Sequence, residues 1–144
     1  MVRFEHGERL TPGEYIDFLR RTDLGSQYPK KNFETRIPTL LGNCDICITA
    51  RNDSTALIGV CLGLTDFAYF LFLTDLGVDR DYLRQGIGRR LVDLAHKAAG
   101  AAADITVATI SNRNAIGFYE ACELRTAPEL VVKYCTDWES FVVK

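Results

Sequence analysis

The stretch Leu83-Arg84-Gln85-Gly86-Ile87-Gly88-Arg89-Arg90 has the residue types and spacing of an anion site. It lies between a hydrophobic, strand-like run and a helix-periodic run, so two glycines open a helix just after a strand. Glycine lets the backbone approach a ligand closely. The first N–H groups of a helix have no internal acceptor, and the helix dipole places about half a positive charge at that end. Phosphate oxygens are the natural guests, and Arg84, Arg89 and Arg90 strengthen the local field. Two common phosphate loops are excluded. A nucleotide P-loop needs Lys and then Ser or Thr where Arg89 and Arg90 stand, and a dinucleotide loop needs a third glycine where Leu91 stands.

Further on comes Asn112-Arg113-Asn114-Ala115-Ile116-Gly117-Phe118-Tyr119-Glu120, and upstream lies Leu73-Thr74-Asp75-Leu76-Gly77-Val78-Asp79. The order of strand, glycine loop, helix, strand and Asn-to-Tyr helix resembles the GNAT family of acetyl-CoA-dependent N-acetyltransferases over residues 56–124. Two departures stand out. The family loop begins with Gln or Arg where this chain has Leu83, with Arg84 one place later. The family's Gly-Phe after the Tyr helix reads Glu123-Leu124 here.

The resemblance implies an α+β fold, with a mixed, mostly antiparallel central sheet flanked by helices. It implies acetyl-CoA as co-substrate, no metal, and a small-molecule or peptide amine as acceptor. Pyrophosphate would be held by main-chain N–H groups of Arg84, Gln85, Gly86, Ile87, Gly88 and Arg89. The pantetheine arm would pair with exposed backbone at Leu76, Gly77 and Val78. Gly77 suits close approach or a bulge, or is simply a sheet-edge glycine. Tyr119 matches the general acid that protonates the leaving thiolate, or is a core tyrosine in a helical set with Ala115, Phe118 and Cys122. Asn112 is either a CoA contact or a helix N-cap. Asp75 is the candidate base, with Asp66 and Asp79 as rivals that read as turn residues. Tyr15, Tyr28, Phe33, Phe67 and Tyr69 are candidates for an acceptor pocket, or core residues. The same features admit a second reading, a non-catalytic acyl-CoA-binding module, because fold alone does not guarantee activity.

The chain that must position these groups has 144 residues, enough for a single domain, 1–144, with a real core. A net charge of −2 argues against nucleic-acid or membrane-surface binding. No apolar run reaches the ~18 residues that span a bilayer. The polar start Met1-Val2-Arg3-Phe4-Glu5-His6 lacks the pattern of a signal peptide, so the expected compartment is the cytoplasm. The five cysteines lack framework spacing and read as reduced thiols. Cys44 and Cys47 have C-x-x-C spacing but fall in a strand-like segment, where residues three apart face opposite sides.

Thr11-Pro12-Gly13-Glu14 reads as a helix start, with Tyr15, Phe18 and Leu19 on one face. After a loop, 24–31, a second short helix follows Asn32, with Pro38 expected to kink or shorten it and Gly42 to end it. Strands over 44–50, 56–64 and 67–78 form a meander, predicted antiparallel. A helix over 86–100 buries Ile87, Leu91, Leu94, Ala95 and Ala98. A buried strand over 105–110, a helix over 112–122 and a last strand over 129–135 complete the chain. Trp138 and Phe141-Val142-Val143 either pack on the sheet or exchange with a second copy, and a homodimer is expected.

Overall fold

The structure is a computed structural model that describes residues 1–100 and 102–144. Thr11 begins α1 (Pro12–Arg20) as expected: its hydroxyl accepts from the Glu14 N–H at 3.1 Å, a cap worth about 1 kcal/mol. Tyr15, Phe18 and Leu19 then form its buried stripe. Asn32 precedes α2 (Phe33–Asn43) in a left-handed conformation and makes no side-chain cap. Pro38 does not shorten α2. It sits on the exposed side, while Phe33 and Ile37 are buried and tie the helix to the core, offsetting the hydrogen bond that proline removes.

The meander is present as β2 (Ile46–Arg51), β3 (Leu57–Thr65) and β4 (Phe70–Val78), all antiparallel. The polar start conceals an edge strand, β1 (Arg3–His6), paired to β2 from Arg3↔Arg51 to His6↔Ile48. Its signal is a short alternation, since Val2 and Phe4 pack on the core and their neighbours do not. After α3 (Ile87–Ala99), β5 (Thr106–Thr109) lies parallel to β4, and the sheet order is β1-β2-β3-β4-β5. This strand is half-buried rather than buried. A 3-10 turn and α4 (Ile116–Ala121) follow.

Residues 129–135 are not a strand. They run irregularly and exposed, and the chain beyond them meets the fold at one isolated bridge, Pro29↔Ser140. Leu130, Val131 and Val132 have strand propensity, but all three are exposed, and pairing without burial gains little. The C-terminus docks within its own chain: Val143 is buried, and the Phe141 ring meets Phe33 edge-on at 5.1 Å.

The sheet separates two cores. Ile48, Ile58, Cys61, Leu71, Leu73, Ile87 and Leu91 pack on the α3 side. Tyr15, Phe18, Ile37, Leu57, Val60 and Leu62 pack on the α1–α2 side. Leu94 and Ala98 of α3 are half-buried, and Val92 and Ala99 take core places instead. All five cysteines are free thiols. Cys47 is buried in β2, and Cys44 precedes that strand. Burial pushes the Cys47 thiol up to about 12, which suits packing and not thiolate chemistry. Among the described residues, no helix is long and apolar enough to cross a membrane.

Candidate active site

The site begins with one extra residue in β4. Leu62 pairs with Asp75 and Gly63 with Leu73, so Thr74 is a bulge. Side chains alternate along a strand, and an inserted residue reverses which face each later one takes. Leu71 and Leu73 face the α3 core, and after the bulge Leu76 and Val78 do so as well. Asp75 and Gly77 are thereby turned toward α1. Were Thr74 paired in regular alternation, the carboxylate would point into the hydrophobic core under α3.

The same place ends the pairing of β4 with β5. The parallel ladder runs from Phe70↔Thr106 to Leu73↔Thr109 and goes no further. Beyond Leu73, β4 keeps β3 on one side, up to Gly59↔Val78, and among the described residues it shows a free backbone edge on the other. Leu76, Gly77 and Val78 lie on that edge, where an extended ligand can add hydrogen bonds. Gly77 has a further duty. A Cβ there would sit 3.1 Å from Leu24 Cδ2 and 3.4 Å from Phe18 Cε2, so the close approach it permits is made by the protein's own core.

The free edge leads into the glycine loop. Arg84 and Gly86 are both left-handed, with φ of 61° and 80°. Left-handed backbone suits Gly86, whereas at Arg84 it stores strain of order 1 kcal/mol. Arg90 N–H is the first in α3 to bond back, to the Gly86 carbonyl at 3.1 Å. The N–H groups of Ile87, Gly88 and Arg89 precede it and have no helical acceptor. Arg84, Gln85 and Arg89 are exposed, and Ile87 anchors the loop by burying its side chain. Gly88 fits against α4: a Cβ there would stand 3.1 Å from two Phe118 ring atoms. This is a row of donors with fixed geometry. A cleft of about 480 Å³ begins at Gly86, Arg89 and Arg90 and runs along α3 to His96 and Glu123.

Asp75 is buried, with 5 % of its surface exposed. Tyr28 Oη donates to its Oδ1 and Thr74 Oγ1 to its Oδ2, the latter at 2.9 Å. The Tyr15 hydroxyl lies 2.9 Å from that of Tyr28. Burial pushes the Asp75 carboxyl above the usual carboxylate range, against the two hydroxyls that lower it. Burial also drives both tyrosines well above the ordinary phenol value, so both stay protonated as donors. Asp75 opens on a cleft of about 680 Å³, walled by Tyr28, Phe72, Asn112, Tyr134 and Trp138 among others.

The rival aspartates are accounted for by structure. Asp66 Oδ1 accepts from the backbone of Ala68, Tyr69 and Phe70 in the β3–β4 turn, and these bonds hold its carboxyl below the usual range. Asp79 pairs with Arg21 at 2.6 Å and caps the 3-10 turn through Asp81 N–H. Of the pocket candidates, Tyr28 lines the cleft, Tyr15 and Phe33 are core, and Phe67 and Tyr69 are exposed at the β3–β4 turn.

Asn112 does two things: its Oδ1 caps the turn into α4 by accepting from Ala115 N–H at 3.0 Å, and it lines the cleft. Tyr119 is half-buried against the α3-side core, and Thr109 closes the β4–β5 ladder opposite Leu73. Thr109 Oγ1 in turn donates to Leu73 O at 2.9 Å. The ladder is thus pinned where β4 and β5 part, and α4 carries Tyr119. Burial raises its phenol to about 12, so it carries its proton at neutral pH. Glu123 ends α4 in a left-handed conformation (φ 71°), with Leu124 N–H bonded to Tyr119 O at 3.0 Å. The turn thus keeps the geometry that glycine would supply, at some cost in strain.

Thr74, Thr109 and the chain segment carrying Tyr134 and Trp138 belong to the site and were not found by sequence reasoning. Thr74 interrupts an alternation that reads equally well as an unbroken strand. The other two act through partners far away in the sequence.

A bulged, splayed β4 thus stands beside a loop of helix N-terminal N–H groups and a buried carboxylate. The model of the acetyltransferase (GNAT) family matches residues 14–123, and the chain belongs to that family. The match begins within α1, well before the segment whose motifs are legible by eye. Solved structures agree in fold. A GNAT-family acetyltransferase from Streptococcus pneumoniae superposes with a TM-score of 0.69 at 18% identity, covering 92% of this chain and 98% of that one. An aminoglycoside acetyltransferase from an uncultured soil metagenomic sample, in complex with sisomicin, gives 0.67 at 19%, covering 94% and 95%. Glucosamine-6-phosphate N-acetyltransferase from Arabidopsis thaliana gives 0.63 at 11%, covering 92% and 98%. None of the curated proteins matches the chain in sequence.

Proposed function

We propose that this protein moves the acetyl group of acetyl-CoA to a primary amine by direct attack in a ternary complex. The observation that carries this reading is the parting of β4 from β5 at Thr74, with the anion loop at one end of the free edge and Asp75 at the other. When bound, acetyl-CoA supplies an activated thioester. Backbone groups of Leu76, Gly77 and Val78 hold its extended arm, and the N–H groups from Arg84 to Arg89 hold its phosphates. Asn112 contributes a polar contact at the cleft wall.

An amine arrives as ammonium and must lose a proton before it attacks. Asp75 takes that proton, directly or through one water, and its raised pKa brings it closer to the operating range of a base. The C–N bond then forms as the C–S bond breaks; the thiolate takes a proton from the Tyr119 hydroxyl, and the second proton that the nitrogen sheds on becoming an amide restores that phenol. The products are an amide and free thiol. No covalent intermediate on cysteine is needed, since the bound amine attacks the thioester directly. Residues 1–144 act as one acetyltransferase domain, and its place of work is the cytoplasm.

The test is release of free thiol from acetyl-CoA across a panel of primary amines, with Tyr119→Phe beside the wild type. Amine-dependent release that falls on loss of the phenol supports the reading. Tight acetyl-CoA binding with no release for any amine, and no change in Tyr119→Phe, would establish a non-catalytic acyl-CoA-binding module instead.

A further inference from the structure

The walls of the cleft at Asp75 narrow the acceptor. Among the described residues lining it, one is acidic, Asp75, and one is basic, Lys133. Four are aromatic: Tyr28, Phe72, Tyr134 and Trp138. We infer that the acceptor is a monoamine carrying an apolar, ring-sized body, and not a polycationic amine. This rests on the acetyl-transfer reading above and names its substrate class.

The carboxylate sets the number of cations. Tyr28 and Thr74 use one lone pair on each Asp75 oxygen, and a carboxylate offers about four such sites. One ammonium can therefore be held. A second and third would meet no further carboxylate on the wall and would face the Lys133 ammonium. Polyamines and aminoglycosides bring several charges and would bury them unpaired. The rings set the rest of the molecule. Aromatic faces attract both an apolar body and the cation next to it.

The aromatic wall is fastened to the fold. Tyr134 and Trp138 belong to the C-terminal segment, which is tied to the start of α2. Lys30 N–H donates to Glu139 O at 2.7 Å, and Lys31 Nζ meets Asp137 Oδ2 at 2.5 Å. Phe141 and Val143 then anchor the end of the segment in the α1–α2 core. The segment that was expected to be a strand thus serves as the outer wall of the cleft.

The experiment measures kcat and KM for 2-phenylethylamine, cyclohexylmethylamine, spermidine and kanamycin by thiol release from acetyl-CoA. The two monoamines are expected to exceed the two polycations at least ~10-fold in kcat/KM, the gap that one unpaired buried charge supports. Trp138→Ala should raise KM for 2-phenylethylamine ~10-fold with kcat nearly unchanged, the pattern of lost ground-state binding. Lys133→Glu should narrow the gap to spermidine. Equal or better turnover of spermidine or kanamycin overturns the inferred class and leaves acetyl transfer standing. Thiol release with none of the four, while acetyl-CoA still binds, overturns both. An unchanged KM in Trp138→Ala removes the aromatic wall from recognition and overturns the inference.

Discussion

Two aspartates at the end of β4 are almost equally buried, Asp75 with 5 % and Asp79 with 6 % of its surface exposed. Their surroundings differ. Asp79 faces the Arg21 guanidinium at 2.6 Å and the N–H of Asp81, so its charge is matched and its oxygens are spent on holding the chain together. Arg21 reinforces this by donating to Leu57 O at 2.9 Å. Asp75 meets only hydroxyl groups among the described residues, and it opens on a cleft. Burial with a countercharge yields a clamp. Burial without one leaves a carboxylate whose charge is disfavoured and whose proton affinity is raised, as a base requires.

The sharpest way to break this comparison is to neutralise each carboxylate. Asp75→Asn should lower kcat/KM by ~10²–10³-fold, the range of a lost general base. Its Tm at neutral pH should hold or rise, because a costly buried charge is gone. Asp79→Asn should do the reverse, keeping activity per folded molecule while losing about 1–3 kcal/mol of stability by urea unfolding. Equal loss of activity in the two variants would dissolve the distinction.

The pH profile sharpens the comparison with a smaller effect. Asp75 is protonated below its raised pKa and accepts no proton there. The acid limb of kcat/KM should therefore lie above the ordinary Asp value of about 3.9 and vanish in Asp75→Asn. For stability the sign follows from the same shift. A carboxyl with a raised folded pKa stabilises the fold below its unfolded pKa, and that contribution is lost as pH rises through the folded value. Tm of the wild type, relative to Asp75→Asn, should fall across that window.

The smallest effect concerns strain. Glu123 pays for a left-handed backbone that glycine adopts freely. Glu123→Gly should stabilise the protein by about 0.5–1 kcal/mol by thermal melting, with kcat unchanged. A destabilised variant would mean that the Glu side chain has a role of its own.

The legible parts of the fold were those carried by local pattern. The Thr11 cap, the meander, α3 and the glycine loop are all set by near neighbours, and their chemistry is readable in order. The Thr74 bulge was hidden because alternation in β4 looks regular until the pairing register is known. The segment 129–135 reads as a strand by propensity but finds no partner, which only the fold can decide. Asp75 was readable as a candidate. Its superiority over Asp79 depends on Arg21, 58 residues away in the chain.

In the proposed function the loop and the free edge of β4 hold acetyl-CoA. That role is tested most directly by isothermal titration of the wild type and of Gly86→Asp with acetyl-CoA. No neighbour crowds a Cβ at Gly86, and Asp tolerates left-handed backbone better than most residues, so melting should show a folded variant. The carboxylate would then stand among the N–H groups meant for phosphate. Tight binding by the wild type and a loss of at least ~100-fold in the variant are expected, the combined effect of like charge and occupied space. Wild-type-like binding in a folded Gly86→Asp, or no binding by the wild type, would contradict that role.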